Sequence, residues 1–259
     1  MELVVIGHLV GDFYLQTSKM AEKKKTSVVY MLLHCMLYAV AIYVTVVIQS
    51  GKPLDRIWPA LLISILHLCV DSIKIGIEKK WRNAEKYKCW IFLVDQCIHI
   101  VILVFVCRYF QINLFSCSII LQNDIACDYG LIVVAMAMLI CWKPAAIFVS
   151  MVLTLFSKPS ANVNNQNGSK QANNEENEMV GVGAWIGILE REVILLLGLL
   201  GQYSAIGFVL TAKSVARYNQ LVEEKDFAEK YLIGTLLSAF IAIVCIAVCS
   251  LIYSGRPEN

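Results

Sequence analysis

Long apolar stretches, separated by short polar ones, set the pattern of this chain. They fall at 1–16, 27–49, 57–77, 89–107, 130–156, 182–211 and 231–253. Most approach the ~20 residues that cross a hydrocarbon core as a helix. Backbone amides in lipid must find partners within their own segment, and the alternating apolar and polar strands of a barrel are absent, so the pattern predicts helices throughout. The expected architecture is an all-α, polytopic integral membrane bundle of about seven transmembrane segments.

The first run carries no basic leader and no small-residue cleavage pattern, and it holds His8 and Asp12 within it; it reads as a retained helix rather than a secretory signal. The fifth contains "WKPAA", where Lys143 and Pro144 interrupt the apolar sequence. The interruption predicts either a kinked span or two half-helices folded as a re-entrant pair. Residues 157–180 are polar and Asn-rich and lack core-forming side chains, so they read as a flexible linker. The linker divides an N-terminal bundle, 1–156, from a C-terminal module, 181–259, whose glycines at 198, 201 and 207 break a run too long for one simple span.

The basic residues orient the bundle. "SKMAEKKKT" after the first run and "KIGIEKKWRNAEKYK" after the third are separated by two spans and share one side, which the positive-inside rule makes the cytoplasm. The linker falls on the same side, so the acceptor pattern "NGS" at Asn167 lies in the wrong compartment for glycosylation. Residues 213–230 mix basic and acidic groups evenly, and their side is left open.

Composition agrees with this pattern: 58% of residues are hydrophobic and the mean hydropathy is +0.66. A net charge of +2 gives no indication of a nucleic-acid partner. The ten cysteines form no C-x-x-C pair, and most lie within apolar runs, where a thiol packs as a small hydrophobe. Cys117 and Cys127 share an outward loop in which a disulfide can form.

The polar residues inside the spans change the picture most. All four histidines, His8, His34, His67 and His99, fall in predicted helices, and three have an aspartate four positions away: His8 with Asp12, His67 with Asp71, and Asp95 with His99. Random scattering of these residues would give about 0.2 such pairs. An i,i+4 pair projects from one helix face, and several such faces can converge in a bundle core. His precedes Asp on the helices running inward and follows it on the one running outward, so each aspartate lies nearer the cytoplasm. Counted from the nearest basic loop residue, the imidazoles lie roughly 10–16 Å deep at 1.5 Å per residue.

A carboxylate at the centre of a span costs on the order of 2.5–3.5 kcal/mol, so three of them require partners. Imidazole and carboxylate together form the ligand set of zinc, manganese or iron. His8, Asp12, His67, Asp71, Asp95 and His99 are the candidate ligands, with His34 as a further ligand or a group supporting them. The same residues could relay protons or merely stitch helices together, and spacing alone does not separate these readings. Gln16 and Gln96 are candidate hydrogen-bond partners of the cluster. In "ILEREV", Glu190 is either part of an interfacial charge cluster with Arg191 or a general base completing the site. Lys213 and Arg217 are helix-end anchors or contacts for an anionic headgroup.

His8, Asp12, Phe13, Leu15 and Gln16 spell an opening H-x-x-x-D-F-x-L-Q, followed much later by "GILEREVI", "FVLTAKSVARYNQ" and "AEKYLIGTLLS". With these motifs the chain resembles a bacterial family of multi-pass membrane proteins catalogued as a domain of unknown function, family 3307. The resemblance implies a multi-pass protein of the bacterial plasma membrane and carries no reaction with it. A looser similarity, confined to the His/Asp pairs, is to metal-dependent hydrolases of the inner membrane.

The leading expectation is a hydrolase that uses a divalent zinc, manganese or iron ion on a phosphoester or lipid-linked substrate, with membrane lipids around it. Asp12, Asp71 and Glu190 would serve catalysis, and Lys213 and Arg217 would steady an anionic headgroup. The alternatives are a transporter for divalent ions or protons, and a scaffold whose polar residues only order the bundle.

Overall fold

The computed structural model describes residues 2–50, 55–81, 86–112, 129–156 and 170–254. Among them every regular element is helical: α1 (Glu2–Leu9), a π-helical turn (Val10–Tyr14), α2 (Ser18–Lys23), α3 (Val28–Ser50), α4 (Ile57–Lys80), α5 (Lys88–Tyr109), α6 (Tyr129–Leu155), α7 (Lys170–Leu199), α8 (Tyr203–Ala216), α9 (Tyr218–Glu223) and α10 (Lys225–Ser254). Five stretches are long and apolar enough to cross a membrane: Val28–Gln49, Ile57–Lys80, Lys88–Tyr109, Gly130–Leu155 and Lys225–Ile252. The chain is thus a multi-pass helical membrane protein. Its packing is that of a membrane bundle, with histidine and aspartate buried at the centre of the N-terminal helices and large apolar side chains such as Val29, Met36, Trp58, Trp90, Val101 and Phe105 turned outward.

Two of the seven apolar runs do not stand as single spans. The first is divided between α1 and the π turn, which together end at Tyr14 and fall short of a membrane's thickness. The run 182–211 is cut at Leu200–Gln202, where Gly201 adopts a φ of +71° that a β-carbon would disfavour. Glu190, Arg191 and Glu192 also place three charges in the apolar part of α7. Lys143 and Pro144 do not split α6, which runs as one helix from Tyr129 to Leu155 without a re-entrant turn. Proline removes one amide and crowds the carbonyl four residues before it, yet the helix continues on both sides of Pro144.

Helix α7 begins at Lys170, inside the stretch expected to be a linker; 157–169 lie outside the described residues. So do Cys117, Cys127 and Asn167, and the eight described cysteines are free thiols. The chain forms two compact units, Met1–Ile140 and Cys141–Asn259.

In the first unit, α1 packs on α3 and α5, α3 on α4, and α4 on α5, which closes a ring of four helices. Close approach of the first two depends on glycine. A β-carbon on Gly7 would lie 2.3 Å from Thr45 Oγ1, and one on Gly11 would lie 2.8 Å from Tyr38 Cδ2. The pair forms a small-xxx-small stripe that lets two backbones meet. The π turn follows at once, with the Leu15 amide donating to the Val10 carbonyl at 2.9 Å. Thr17 then caps α2, its hydroxyl accepting from the Met20 amide.

In the second unit, α10 packs on α7 and α9, and α7 on α8. A β-carbon on Gly198 would lie 2.1 Å from Ile246 Cδ1, so that glycine admits the α10 side chain against α7.

Candidate metal centre

Each helix of the four-membered ring presents three buried residues spaced by four, one per helical turn. They are Val4, His8 and Asp12 on α1 and the π turn; Ile42, Tyr38 and His34 on α3; Ile63, His67 and Asp71 on α4; and Leu103, His99 and Asp95 on α5. All are at most 9% exposed. The order reverses between neighbouring antiparallel helices, so like residues meet in tiers. Val4, Ile42, Ile63 and Leu103 belong to one apolar cluster. The second tier joins His8, Tyr38, His67 and His99, and the third joins Asp12, His34, Asp71 and Asp95.

The second tier is held by ring contacts. His67 stacks on Tyr38 with centroids 3.7 Å apart, His67 and His99 are 4.5 Å apart, and His8 and His99 are 5.3 Å apart. His8 has partners for both ring nitrogens: Nδ1 lies 3.1 Å from the Tyr38 hydroxyl and Nε2 lies 3.3 Å from Gln96 Oε1. The amide oxygen can only accept, so Nε2 donates to it and Nδ1 accepts from the phenol. Gln96 Nε2 in turn donates to Asp12 Oδ2 at 3.1 Å and to Asp95 Oδ2 at 3.2 Å. One glutamine therefore ties the imidazole tier to two carboxylates.

Donor atoms converge around His34. Its Nε2 lies 3.2 Å from His67 Nε2, 3.5 Å from Asp12 Oδ1 and 3.5 Å from Asp71 Oδ2, while His67 Nε2 lies 3.9 Å from Asp71 Oδ2. Bonds of about 2.0–2.1 Å to one tetrahedral ion would separate its ligands by about 3.3–3.4 Å. Two groups of ligand atoms, Asp12–His34–His67 and His67–Asp71–His99, each lie within 4.8 Å of one another and could hold a metal ion. They share His67. His99 has no hydrogen-bond partner on either ring nitrogen, and neither Nδ1 of His34 nor Nδ1 of His67 has one. Leaving such groups buried and unsatisfied costs about 1–3 kcal/mol each. An ion would satisfy part of that demand, so the donor set fits a divalent cation.

The tiers end in lysine. Lys24 Nζ donates to Asp71 Oδ2 at 2.8 Å and to Gln16 Oε1 at 3.0 Å. Lys74 Nζ donates to Asp95 Oδ2 at 2.7 Å.

The candidate residues thus separate. Asp12, His34, His67, Asp71 and His99 come together as ligands would. His8 is engaged by Tyr38 and Gln96, and Asp95 by Lys74 and Gln96, so both stand beside the two groups rather than in them. Glu190 belongs to the second unit, where it is buried and paired with Lys213, which also donates to Thr235 Oγ1 at 3.0 Å. Arg217 is not with them: it donates to Gln220 Oε1 at 3.1 Å and lies over the Phe227 ring. Tyr38, Lys24 and Lys74 were not among the sequence candidates. Tyr38 carried a signal, since it stands four residues from His34, as each aspartate stands from its histidine. The lysines carried none beyond membership of the basic loops.

A family model described as protein of unknown function, DUF3307, matches residues 1–127. Every residue of the tiers lies within that match, whereas "GILEREVI", "FVLTAKSVARYNQ" and "AEKYLIGTLLS" lie beyond it. No curated protein and no solved structure matches the chain.

Proposed function

Through residues 1–127 the chain belongs to the DUF3307 family of unknown function, and we propose that this part forms a metal-dependent membrane hydrolase acting on a phosphoester or lipid-linked substrate. The observation that carries the reading is the approach of His34 Nε2 to His67 Nε2, Asp12 Oδ1 and Asp71 Oδ2 within 3.2–3.5 Å. Asp12, His34, His67 and Asp71 would hold the ion, and His99 joins His67 and Asp71 in the second of the two groups. Bound there, a divalent zinc, manganese or iron ion would acidify water and polarise the group to be cleaved.

The chain's own residues supply the rest. His8, fixed in one tautomer, orients Gln96, and Gln96 holds Asp12 and Asp95 in place. Asp95 Oδ1 is buried and has no hydrogen-bond partner, which suits it to accept a proton. Lys213 engages the Glu190 carboxylate, and the reading requires nothing of that pair. In this reading Asp95 takes the proton, and Glu190 is given no part in it.

The support for hydrolysis over transport is the apolar tier. Val4, Ile42, Ile63 and Leu103 are at most 1% exposed and back the imidazoles with an apolar layer, so among the described residues the tiers run from apolar at one end to carboxylate at the other. By the positive-inside rule that end faces the cytoplasm. Elemental analysis of protein purified without chelators tests the reading. We expect one ion per chain in the wild type and its loss in His67→Gln and Asp71→Asn; a metal-free wild type overturns it. A loaded protein that cleaves neither soluble nor lipid phosphoesters would remove the hydrolase and leave the metal site.

A further inference from the structure

We infer that Lys24 and Lys74 form an anion-recognition pair at the polar end of the metal centre, and that the group they take is a phosphate. The inference rests on the metal reading above and adds to it the ligand chemistry and the residues that recognise it. Lys24 follows α2, and Lys74 lies one turn beyond Asp71 on α4. Their ammonium groups touch Asp71 Oδ2 and Asp95 Oδ2, at 2.8 and 2.7 Å. The lysine side chains are 12% and 24% exposed, against 2% and 3% for the carboxylates. They therefore stand between the third tier and the exterior, and a molecule approaching from that end meets two ammonium groups first.

Charge balance then decides what such a molecule must be. Leaving the imidazoles out of the count, the carboxylates of Asp12, Asp71 and Asp95 outnumber the two ammonium groups by one. A divalent ion in the cage reverses the sign and leaves one net positive charge in a buried setting. An unbalanced charge there is costly, and an anion removes the imbalance. Asp71 Oδ2 now serves Lys24, yet it is also 3.5 Å from His34 Nε2 and 3.9 Å from His67 Nε2, so the ion and the lysine draw on the same oxygen. Sharing that oxygen weakens its hold on the ammonium, and the flexible stem of a partly exposed lysine can turn the charge toward an incoming anion.

A phosphate monoester suits the arrangement better than a carboxylate. Its three terminal oxygens accept strong charge-assisted hydrogen bonds, so one molecule can meet both ammonium groups and still present an oxygen to the centre. A lipid headgroup and a soluble phosphate share this chemistry.

The full chain, purified in detergent and loaded with Mn²⁺, provides the test, because a paramagnetic ion broadens the phosphorus resonance of a phosphate held beside it. Metal content is measured in every sample. The probes are inorganic phosphate and, after transfer to nanodiscs, phosphatidic acid. We expect saturable broadening in the wild type. Lys24→Gln and Lys74→Gln should keep the ion and weaken phosphate binding about ten- to hundredfold, the loss of one charged hydrogen bond, while Lys24→Arg should stay within about threefold of the wild type. Broadening by the lipid alone assigns the headgroup as the source, and broadening by inorganic phosphate assigns the soluble group. Wild-type protein that holds Mn²⁺ without broadening either probe overturns the inference, as do glutamine variants that bind phosphate unchanged. Failure to hold Mn²⁺ would instead strike the metal reading beneath it.

Discussion

The imidazole of His67 lies flat against the phenol ring of Tyr38, with centroids 3.7 Å apart and planes inclined by 6°. The stack fixes the imidazole plane, and with it the direction in which His67 Nε2 meets His34 Nε2 at 3.2 Å. The same phenol donates to His8 Nδ1 at 3.1 Å, so one side chain from α3 sets two imidazoles.

Two substitutions separate those roles. Tyr38→Phe keeps the ring and loses the hydrogen bond, and should cost about 0.5–1.5 kcal/mol of stability with metal binding kept. Tyr38→Ala removes the ring as well, and should cost about 3–5 kcal/mol and lower metal affinity at least about tenfold. Denaturation in detergent and equilibrium dialysis read the two effects. Wild-type metal affinity in Tyr38→Ala would show that the stack does not position His67.

Helix approach makes a graded prediction at Gly7 and Gly11. A β-carbon on Gly11 meets Tyr38 Cα at 3.2 Å as well as its ring, and backbone cannot step aside. Gly11→Ala should therefore cost about 1–3 kcal/mol. The three atoms nearest a β-carbon on Gly7 all belong to the Thr45 side chain, so Gly7→Ala should cost less, and Thr45→Ala should recover part of it in the double variant. Thermal unfolding of the four proteins decides the order, and equal losses at the two glycines would refute it.

The Glu190–Lys213 pair should behave as a buried ion pair. Lys213→Met alone leaves the carboxylate facing a thioether and should cost about 3–5 kcal/mol, with a similar loss for Glu190→Leu. The double replacement should cost clearly less than the sum. A double-mutant cycle monitored by denaturant unfolding measures the coupling, and strict additivity would mean that the ion pair contributes nothing.

Metal should stabilise the fold by mass action. An ion that binds only the folded chain adds about 2.7 kcal/mol at a hundred times its dissociation constant. Adding Zn²⁺ or Mn²⁺ should raise the unfolding temperature of the wild type, chelator should reverse the rise, and Asp71→Asn should abolish it. An equal rise in Asp71→Asn would place the ion elsewhere on the chain.

Much of the centre could be read from spacing because helices convert a separation of four residues into a shared face. His8 with Asp12, His67 with Asp71, and Asp95 with His99 fall into two tiers for that reason. His34 did not fit, because the rule looked for an acidic partner and its partner at four is the phenol of Tyr38. The structure places His34 among the carboxylates, one turn from where the other histidines sit. Gln96 was in view as a hydrogen-bond partner of the cluster; that its partners are His8 and Asp12 depends on which helices adjoin, and composition does not encode adjacency.

Span counting met a different limit. Hydropathy averages over a window and does not register a break in the middle of an apolar run; in 182–211 the glycines at 198, 201 and 207 gave that signal instead. Gly201, with its φ of +71°, divides residues that remain apolar on both sides. Pro144 presented the opposite case, a residue that signals interruption in a helix that continues through it. Local signals for breaking a helix compete with the surrounding packing, and in α6 the helix prevailed.

The π turn at Val10–Tyr14 makes chain length itself a constraint. Its five-residue bond, from the Leu15 amide to the Val10 carbonyl, takes up one residue more than an α-helical turn uses, and a residue added or removed rotates the chain beyond it by about 100°. On that side of the turn lie Gln16, the Thr17 cap and then Lys24, whose reach to Asp71 depends on where the rotation leaves the chain. Between Asp12 and Lys24, relatives of this protein can therefore exchange residues more freely than they can gain or lose one, and a fixed interval there would mark the site even where its letters have drifted.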